Sequence, residues 1–443
     1  MSIVILVLFL IPQYLTGQSE RDFRYHDSLT YKLYLEERWK ELSYAGRNAL
    51  NDGHDYYFMR MRLGISLYER ALYAAAARHF RMALTFSEGD PVATEYLYYC
   101  SLLSGEYGRA SAIISSMSDD HGKKVIEESG LARNSIWLSV YYNNYDTDNY
   151  VSSPSLYIAN DYVGTVSFAR QLVNPSITMS HNISPGVYYI HAFNNITRTS
   201  LLHYNDGIRI INLDDQKVFQ NQYYGSLSVT GKGGFSFRPY LHLALSVYEY
   251  ILAGGSISPG FYAVGRNSVL HYSAGMNLRQ RTGYSAIDVT GAVNSFGAGS
   301  ALQGEAGIVL YPFGNGSFYA GGRIAGIVQP GETFSSFSRA YTLLAGFSVP
   351  GKFQADFTFI DGGNRNMSSG NGLYLFNGPD FIEQRLLFNI TIPFGTTSGL
   401  SFFAGGGLNK HKTSWFAFDN TLTGDQLYKY SSFNINGGFL WNF

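Results

Sequence analysis

Eight charged or histidine side chains in the later part of the chain stand at alternate positions to apolar residues. Successive side chains of a strand point to opposite faces, so these groups share a face that the apolar residues avoid. A charged side chain in the middle of a bilayer's hydrocarbon layer costs about 2–4 kcal/mol. In water the same charge costs little and can pair with an opposite charge. We therefore predict a water-filled lumen of mixed sign, lined by Arg238, His242, His271, Asp288, Glu305, Arg323, Asp356 and Arg385.

No spacing of reactive side chains points to catalysis. The sequence contains no Gly-x-Ser-x-Gly elbow, no phosphate-cradling glycine loop and no His-Glu-x-x-His pair. Asp214 and Asp215 could offer calcium ligands, but a solvated loop explains two adjacent carboxylates more simply. We expect no catalytic residue, metal site or cofactor. An enzyme with its site at the rim of a β-barrel is therefore the functional alternative with the least support in the sequence. The other two, a channel and an anchor, follow from the strand pattern described below.

The alternating residues belong to fourteen segments in the later two thirds of the chain, each close to the roughly 10 residues that cross a bilayer at a tilt. Tight turns between them alternate with longer stretches such as 144–175, 201–218 and 362–384. Transmembrane barrels have short periplasmic turns and long external loops. Residues 135–443 are therefore predicted to form an antiparallel transmembrane β-barrel of about 14 strands. Residues 163–168 could add a further strand pair.

The last segment has one aromatic face and one amide face. Asn434, Asn436 and Asn442 point away from the aromatic side chains and should face the lumen. A final phenylalanine with apolar residues two and four places earlier resembles the C-terminal signal of bacterial outer-membrane barrels, which the barrel-assembly machinery binds. The resemblance implies that the signal comprises Phe439, Trp441 and Phe443.

This assembly role has a direct test. We expect Phe443→Ala to lower the amount of protein in the outer membrane far more than Asn442→Ala, because only the aromatic side chain belongs to the lipid-facing signal. Immunoblots of outer-membrane fractions measure both variants. Equal amounts of the two variants would contradict the assembly signal.

The composition changes near residue 134. Charged residues are dense before it, although only 15% of the whole chain is charged, and most of the 48 glycines follow it. The apolar run 3–11 predicts a signal peptide over residues 1–17, and residues 18–134 are then a water-soluble helical domain. The net charge of −1 offers no reason to expect a nucleic-acid partner, and a single cysteine, Cys100, excludes an intrachain disulfide.

Small and apolar residues in 18–134 recur every 34 positions, as in Leu63 and Leu97 or Ala76 and Ala110. This spacing and these residue types resemble the tetratricopeptide repeat. The resemblance implies paired helices that present a concave face to a partner, although the helices could instead only pack beneath the barrel. It also implies that the helices pack through Leu63, Gly64, Tyr73, Ala76, Phe80, Ala83, Leu97, Tyr107 and Ala110.

The expected fold class is α+β and multidomain, with a short tetratricopeptide-like α-helical repeat followed by the barrel. This order resembles the exopolysaccharide exporters of Gram-negative bacteria and implies an outer-membrane protein whose N-terminal domain lies in the periplasm. The leading expectation is a porin-like channel or export pore whose repeats recruit a periplasmic protein. The alternative is a non-conducting anchor that presents the repeats to an envelope complex. Outer-membrane lipid, the barrel-assembly machinery and that periplasmic protein are the expected partners.

Overall fold

The computed structural model describes residues 22–129, 134–154, 158, 163–252, 262–296, 299–328, 338–364, 366–378, 380–395, 399–417 and 427–443. The predicted signal peptide, residues 1–17, lies outside these ranges. The described chain consists of helices up to residue 129 and of a barrel that begins at residue 134. A helical segment followed by an antiparallel barrel is confirmed.

Helices of similar length follow one another in the first part. They are α1 (22–35), α2 (Trp39–Asn51), α3 (Tyr57–Glu69), α4 (Tyr73–Phe86), α5 (Pro91–Leu103), α6 (Tyr107–Ile114) and α7 (Asp119–Ser129). Helices α2, α4 and α6 begin at residues 39, 73 and 107, and α3 and α5 begin at 57 and 91, so both series repeat every 34 residues. The tetratricopeptide identity of these helices stays a prediction. Within the described ranges, no helix is both long enough and apolar enough to cross a membrane.

A shared core joins these helices. Phe80 is fully buried and stacks on Tyr96, with 4.8 Å between the ring centroids. Burial raises the pKa of the Cys100 thiol to about 12, so this cysteine is a protonated core residue. Of the residues predicted to pack the repeat, the structure buries Leu63, Ala76, Phe80, Ala83, Leu97 and Ala110, and it packs Tyr73 against the core that contains Ala76 and Phe80.

Tyr107 is not a packing residue, contrary to the prediction: 59% of it is exposed. Its counterpart one repeat earlier, Tyr73, lies beside Cys100 of α5. The position that would cover Tyr107 in the same way is 34 residues after Cys100, which is Asn134. There the chain has already left the helices and begun the first strand of the barrel.

Gly64 allows α3 and α4 to approach closely, which leads to a stability prediction. A Cβ at this position would lie 2.6 Å from the Phe80 ring. We expect Gly64→Ala to destabilise the helical domain by about 2 kcal/mol, because the ring has no space to move in a close-packed core. Thermal unfolding followed by far-ultraviolet circular dichroism measures the change.

Gly122 of α7 offers a matched control for this substitution. Its nearest neighbour would lie 3.4 Å from an added Cβ, which is an ordinary contact. Gly122→Ala should therefore leave stability unchanged or raise it by about 0.5 kcal/mol through helix propensity. Equal destabilisation by both substitutions would contradict the close approach at Gly64.

Fourteen antiparallel strands form the closed barrel. The first strand pairs with the second and also with the last, so the sheet has no free edge. The predicted strand number is confirmed. The barrel strands are β1 (Asn134–Tyr145), β2 (Gly164–Ser184), β3 (Val187–Asn205), β4 (Ile210–Thr230), β5 (Phe235–Leu252), β6 (Ala263–Arg281), β7 (Ser285–Phe296), β8 (Gly299–Leu310), β9 (Phe318–Val328), β10 (Ser338–Val349), β11 (Phe353–Asn364), β14 (Phe381–Pro393), β15 (Leu400–Ser414) and β17 (Leu427–Asn442).

Shorter elements lie between these strands. They are helix α8 (Asp148–Ser152), the hairpin strands β12 (Met367–Ser369) and β13 (Tyr374–Phe376), and β16 (Phe416–Ala417), which pairs with β2. At one end of the barrel, which we call the turn end, tight turns join β2 to β3, β4 to β5, β6 to β7 and β8 to β9. The helical domain contacts this end.

Strands β2 to β4 are longer than predicted. The stretch 201–218, predicted as a long loop, is mostly strand, since β3 and β4 stay paired as far as Asn205 and Ile210. Residues 163–168 mainly extend β2 and do not form a separate strand pair. Apolar side chains stabilise the extension, because Leu202, Tyr204 and Ile251 form a buried cluster there. The predicted alternation of short and long connections is therefore wrong between β3 and β4.

The outer face of the barrel is an apolar belt. Along β17 the exposed apolar side chains run from Phe433 to Trp441, which corresponds to about 27 Å of strand, or about 20 Å of depth at a 40° tilt. That depth is close to the height of a lipid-facing band. Other strands contribute Leu245, Leu270, Ile308, Leu343, Phe388 and Leu408 to the belt.

Candidate functional site

A hairpin enters the barrel from the end of β11. Residues 362–384 were predicted to be an external loop, but β12 and β13 pair within this stretch and turn into the lumen. The prediction is wrong because the stretch finds polar and apolar partners inside the barrel. The sequence does contain a turn signal, since Asn371 and Gly372 have φ angles of 58° and 83°.

The tip of the hairpin reaches the opposite wall. The Tyr224 hydroxyl of β4 donates to the Asn371 carbonyl over 3.0 Å. His242 of β5 donates through Nδ1 to the Gly372 carbonyl over 2.7 Å, since a carbonyl can only accept. In the closed strand order, β5 stands six places from β11 and β4 six places from β14. The hairpin therefore crosses the full width of the 14-strand barrel.

The arms of the hairpin contact the walls on the way. Gln303 of β8 accepts from the Ser368 backbone amide over 2.9 Å and donates to the Ser368 carbonyl over 2.6 Å. The Arg385 guanidinium lies 5.7 Å from the centre of the Phe376 ring. Met367 is buried in an apolar cluster with Ala301, Ala325, Ile327 and Ala340. The hairpin is therefore held to the wall by hydrogen bonds, apolar packing and a cation–π contact.

Gly372 at the tip can only be glycine. Its φ of 83° lies in the left-handed region that side chains disfavour. A Cβ on this residue would also overlap the Tyr240 ring. The backbone thus approaches the wall more closely than any other residue type permits.

The wall around the hairpin is lined mainly by uncharged amides and hydroxyls. Gln222 accepts from Asn194 over 3.2 Å and lies 3.2 Å from His242 Nε2. Further pairs join Gln220 to Ser246, Asn277 to Thr290 and Asn294 to Gln303. The sequence prediction included the amides of the last strand but not these neutral residues of β3 to β8, although the same alternation with apolar residues marks them.

The predicted lumen residues do not form one site. Arg323 lies 3.5 Å from Asp288 and 3.9 Å from Glu305, so these three form one ion cluster. Asp356 accepts a hydrogen bond from Tyr319, away from that cluster. His242 and Arg385 contact the hairpin, as described above. Arg238 lies 3.4 Å from Ser228, and His271 contacts Phe296 with 6.1 Å between the rings.

The wall formed by β1, β15 and β17 holds buried amides without partners among the described residues. Asn143 and Asn434 stand opposite each other in the β1–β17 ladder. Both polar atoms of the Asn434 side chain and Oδ1 of Asn143 make no hydrogen bond with any described residue. Buried amides are nearly always paired, so this wall is suited to hold water or a polar solute. The sequence prediction included Asn434 but missed Asn143.

The described part of the chain contains no cluster of metal-ligating side chains. There, no three His, Cys, Asp or Glu side chains come close enough together to hold a metal ion. The three residues predicted to form an assembly signal have exposed side chains at the end of β17. Phe439 contacts Phe402, and Trp441 contacts Phe443 with 4.8 Å between the ring centroids.

The helical domain is fixed to the turn end by a buried ion cluster. Glu106 lies 3.2 Å from Arg109 and 3.1 Å from Arg281 at the end of β6, and all three side chains are less than 10% exposed. Arg109 also donates to the carbonyl of Lys232 in the β4–β5 turn over 2.8 Å. Ser111 accepts from the Gly186 amide in the β2–β3 turn over 3.1 Å. The two parts of the molecule are therefore joined by specific polar contacts.

The comparisons with known proteins give fold-level likenesses only. No protein family matches the sequence, and no curated protein matches it. The toluene transporter TodX of Pseudomonas putida resembles this structure with a TM-score of 0.44 and 8% identity, over 75% of this chain and 92% of TodX. A FadL homologue of Pseudomonas aeruginosa has a TM-score of 0.40 and 10% identity, over 74% of this chain and 91% of its own.

A second kind of likeness covers a smaller part of the chain. PcrH in complex with the chaperone-binding region of PopD matches 25% of this chain and 87% of its own, with a TM-score of 0.22 and 15% identity. Because every one of these TM-scores is below 0.5, the likenesses decide neither function nor mechanism. The barrel itself rests on the strand pairing described above.

Proposed function

We propose that this protein is an outer-membrane channel and that the hairpin 366–378 closes it. The hairpin across the polar lumen is the observation that supports this function best. A barrel with an apolar belt is suited to a bilayer, and inward-facing amides can line a path for water and polar solutes. A hairpin held only by hydrogen bonds and packing is suited to be a gate.

The helical domain lies on the periplasmic side in this proposal. Outer-membrane barrels place their short turns in the periplasm, and the helices contact the turn end. Its tetratricopeptide-like 34-residue period supports a role in recruiting a periplasmic protein. Exposed apolar side chains, including Tyr44, Phe58 and Tyr107, offer such a partner contact area.

Single-channel recordings in planar bilayers test the gate. We expect Gly372→Ala to raise the open probability about tenfold or more, because strain at a left-handed residue alone costs about 1–2 kcal/mol and 1.4 kcal/mol is a factor of ten. Gly304→Ala is the matched control, since a Cβ on Gly304 meets nothing within 4 Å. A Gly372→Ala protein that inserts and stays as silent as the control would contradict the gate.

An anchor without conductance is the second candidate function. The observation in its favour is the ion cluster at Glu106, which fixes the helices to the barrel as a docking platform requires. Removing the hairpin separates the two functions. A channel then conducts, whereas an anchor whose lumen is blocked by other means does not.

A further inference from the structure

The outer face of the barrel carries a basic pocket directly beyond the apolar belt. It is a cavity of about 520 Å³ on β11, β14, β15 and β17, at the end opposite the turns. Its lining includes Lys410, Lys412 and Lys429. Only six lysines follow residue 134, so half of them converge here. Asp361, Glu383, Gln384 and two glycines complete the lining.

These lysines point outward, away from the lumen. The residues that alternate with them in β15 and β17, among them Asn409, His411, Tyr430 and Ser432, are buried inside the barrel. Lys412 and Lys429 stand opposite each other in the β15–β17 ladder. Their ammonium groups therefore enter the same space outside the wall.

The pocket begins one row of side chains beyond the apolar belt, on the side away from the turn end. The ladder pairs Phe359 with Leu386, Leu386 with Leu408, and Leu408 with Phe433, which makes a continuous apolar row. The next row, toward the end of the barrel opposite the turns, consists of Asp361, Gln384, Lys410 and Ser431. A change from apolar to charged within one row marks the boundary between acyl chains and headgroups.

Among the described residues, two of the three lysines have no partner for their ammonium groups. Lys412 lies 3.0 Å from Glu383, and Gln384 donates to Asp361 over 2.9 Å, so both carboxylates have local partners. Lys410 and Lys429 form no ion pair with any residue that the structure describes. Lysine is a common phosphate ligand, and cavities of about 300–1,000 Å³ bind small molecules.

We propose that this pocket binds the phosphorylated headgroup of a glycolipid in the outer leaflet, with Lys410 and Lys429 on the phosphate. The site rests on the outer-membrane location and orientation given under the proposed function. A membrane lipid fits better than a free anion, because acyl chains would follow the apolar row from Phe359 to Phe433 directly below the pocket. Lys412 contributes less, since Glu383 partly neutralises it.

Binding to full-length protein in detergent tests the site, with three probes: diphosphorylated lipid A, lipid A without phosphates, and inorganic phosphate. We expect lipid A to bind at least tenfold more tightly than its dephosphorylated form, and inorganic phosphate to compete only at millimolar concentration. Lys410→Ala with Lys429→Ala should weaken binding of lipid A tenfold or more. Glu383→Gln should tighten it, because it removes the carboxylate beside Lys412.

Lys217→Ala is the matched control, since this exposed lysine on β4 lies two residues before the exposed Phe219, and β4 is not among the strands of the pocket. It should leave affinity for lipid A unchanged. Equal affinity of the double variant and the wild type would overturn the proposal. Competition by inorganic phosphate as strong as that by lipid A would overturn the assignment to a lipid.

The same preparations separate this inference from the proposed channel. If lipid A binding is insensitive to the lysines while the hairpin variants conduct, only the lipid site is wrong. If the protein does not insert into bilayers at all, the outer-membrane channel is wrong and the lipid site is wrong with it.

Discussion

Replacing residues 366–378 by a short glycine-serine linker is expected to convert a silent barrel into an open pore. The replaced segment contains the described hairpin residues that hydrogen-bond to the wall, among them Ser368, Asn371 and Gly372. Strands β11 and β14 should stay paired, because their ladder between Gln354 and Asp361 does not involve the hairpin. The change therefore removes the obstruction and preserves the barrel.

The size of the opening follows from the strand number. Fourteen strands spaced about 4.8 Å apart and tilted by about 40° make a barrel about 28 Å wide between opposite backbones. Inward side chains of about 6 Å on each side leave a passage of about 15 Å. We expect sustained ohmic currents in planar bilayers, and swelling of liposomes in uncharged sugars, where the wild type produces neither.

Two controls make this result decisive. Loss of heat-modifiable electrophoretic mobility would show a misfolded barrel, so only variants that retain it are compared. Gly304→Ala, on the outer face of the barrel, should be as silent as the wild type. A folded, inserted deletion variant without current would contradict the channel and favour the anchor.

Glu106→Gln is expected to destabilise the attachment of the helical domain by about 3 kcal/mol. It leaves the buried Arg109 and Arg281 without a compensating charge, and an unpaired buried charge costs about 3–5 kcal/mol. The thermal unfolding midpoint of the helices should fall by roughly 10 °C or more, while the strand signal of the barrel changes little. Circular dichroism of the full-length protein resolves the two transitions.

Glu127→Gln provides the matched control, because this glutamate on α7 is exposed and its loss should cost less than about 0.5 kcal/mol. Adding Arg281→Met to Glu106→Gln should recover more than half of the lost stability, since one uncompensated charge disappears with it. If the second substitution instead adds to the damage, packing and not charge accounts for the effect of Glu106→Gln.

The strand pattern of this protein is a local property, and the sequence alone predicted it well. Side chains alternate with a period of two along each strand, so Leu408 and Asn409 can be assigned to opposite faces from their neighbours alone. The same holds for the 34-residue spacing of the helix starts at 39, 73 and 107. Strand number and the positions of most strands follow from this pattern without any tertiary contact.

The failures concern residues whose state depends on partners far along the chain. Residues 201–218 lack a clear alternation, and their strand character comes from pairing between β3 and β4 and from packing on Ile251. Tyr107 matches Tyr73 in the repeat, yet it is exposed because the chain enters β1 where the next repeat would cover it. A repeat pattern does not state where the repeat ends.

The sequence by itself determined a barrel of fourteen strands with one apolar and one polar face, preceded by a helical segment. Only the tertiary structure decided that Gly372 meets His242 across the lumen and that Glu106 meets Arg281 between the two parts, over separations of 130 and 175 residues. Alternation specifies which face a side chain occupies but not whether a connection turns inward or outward. That choice depends on which distant donors and acceptors the closed barrel brings within reach.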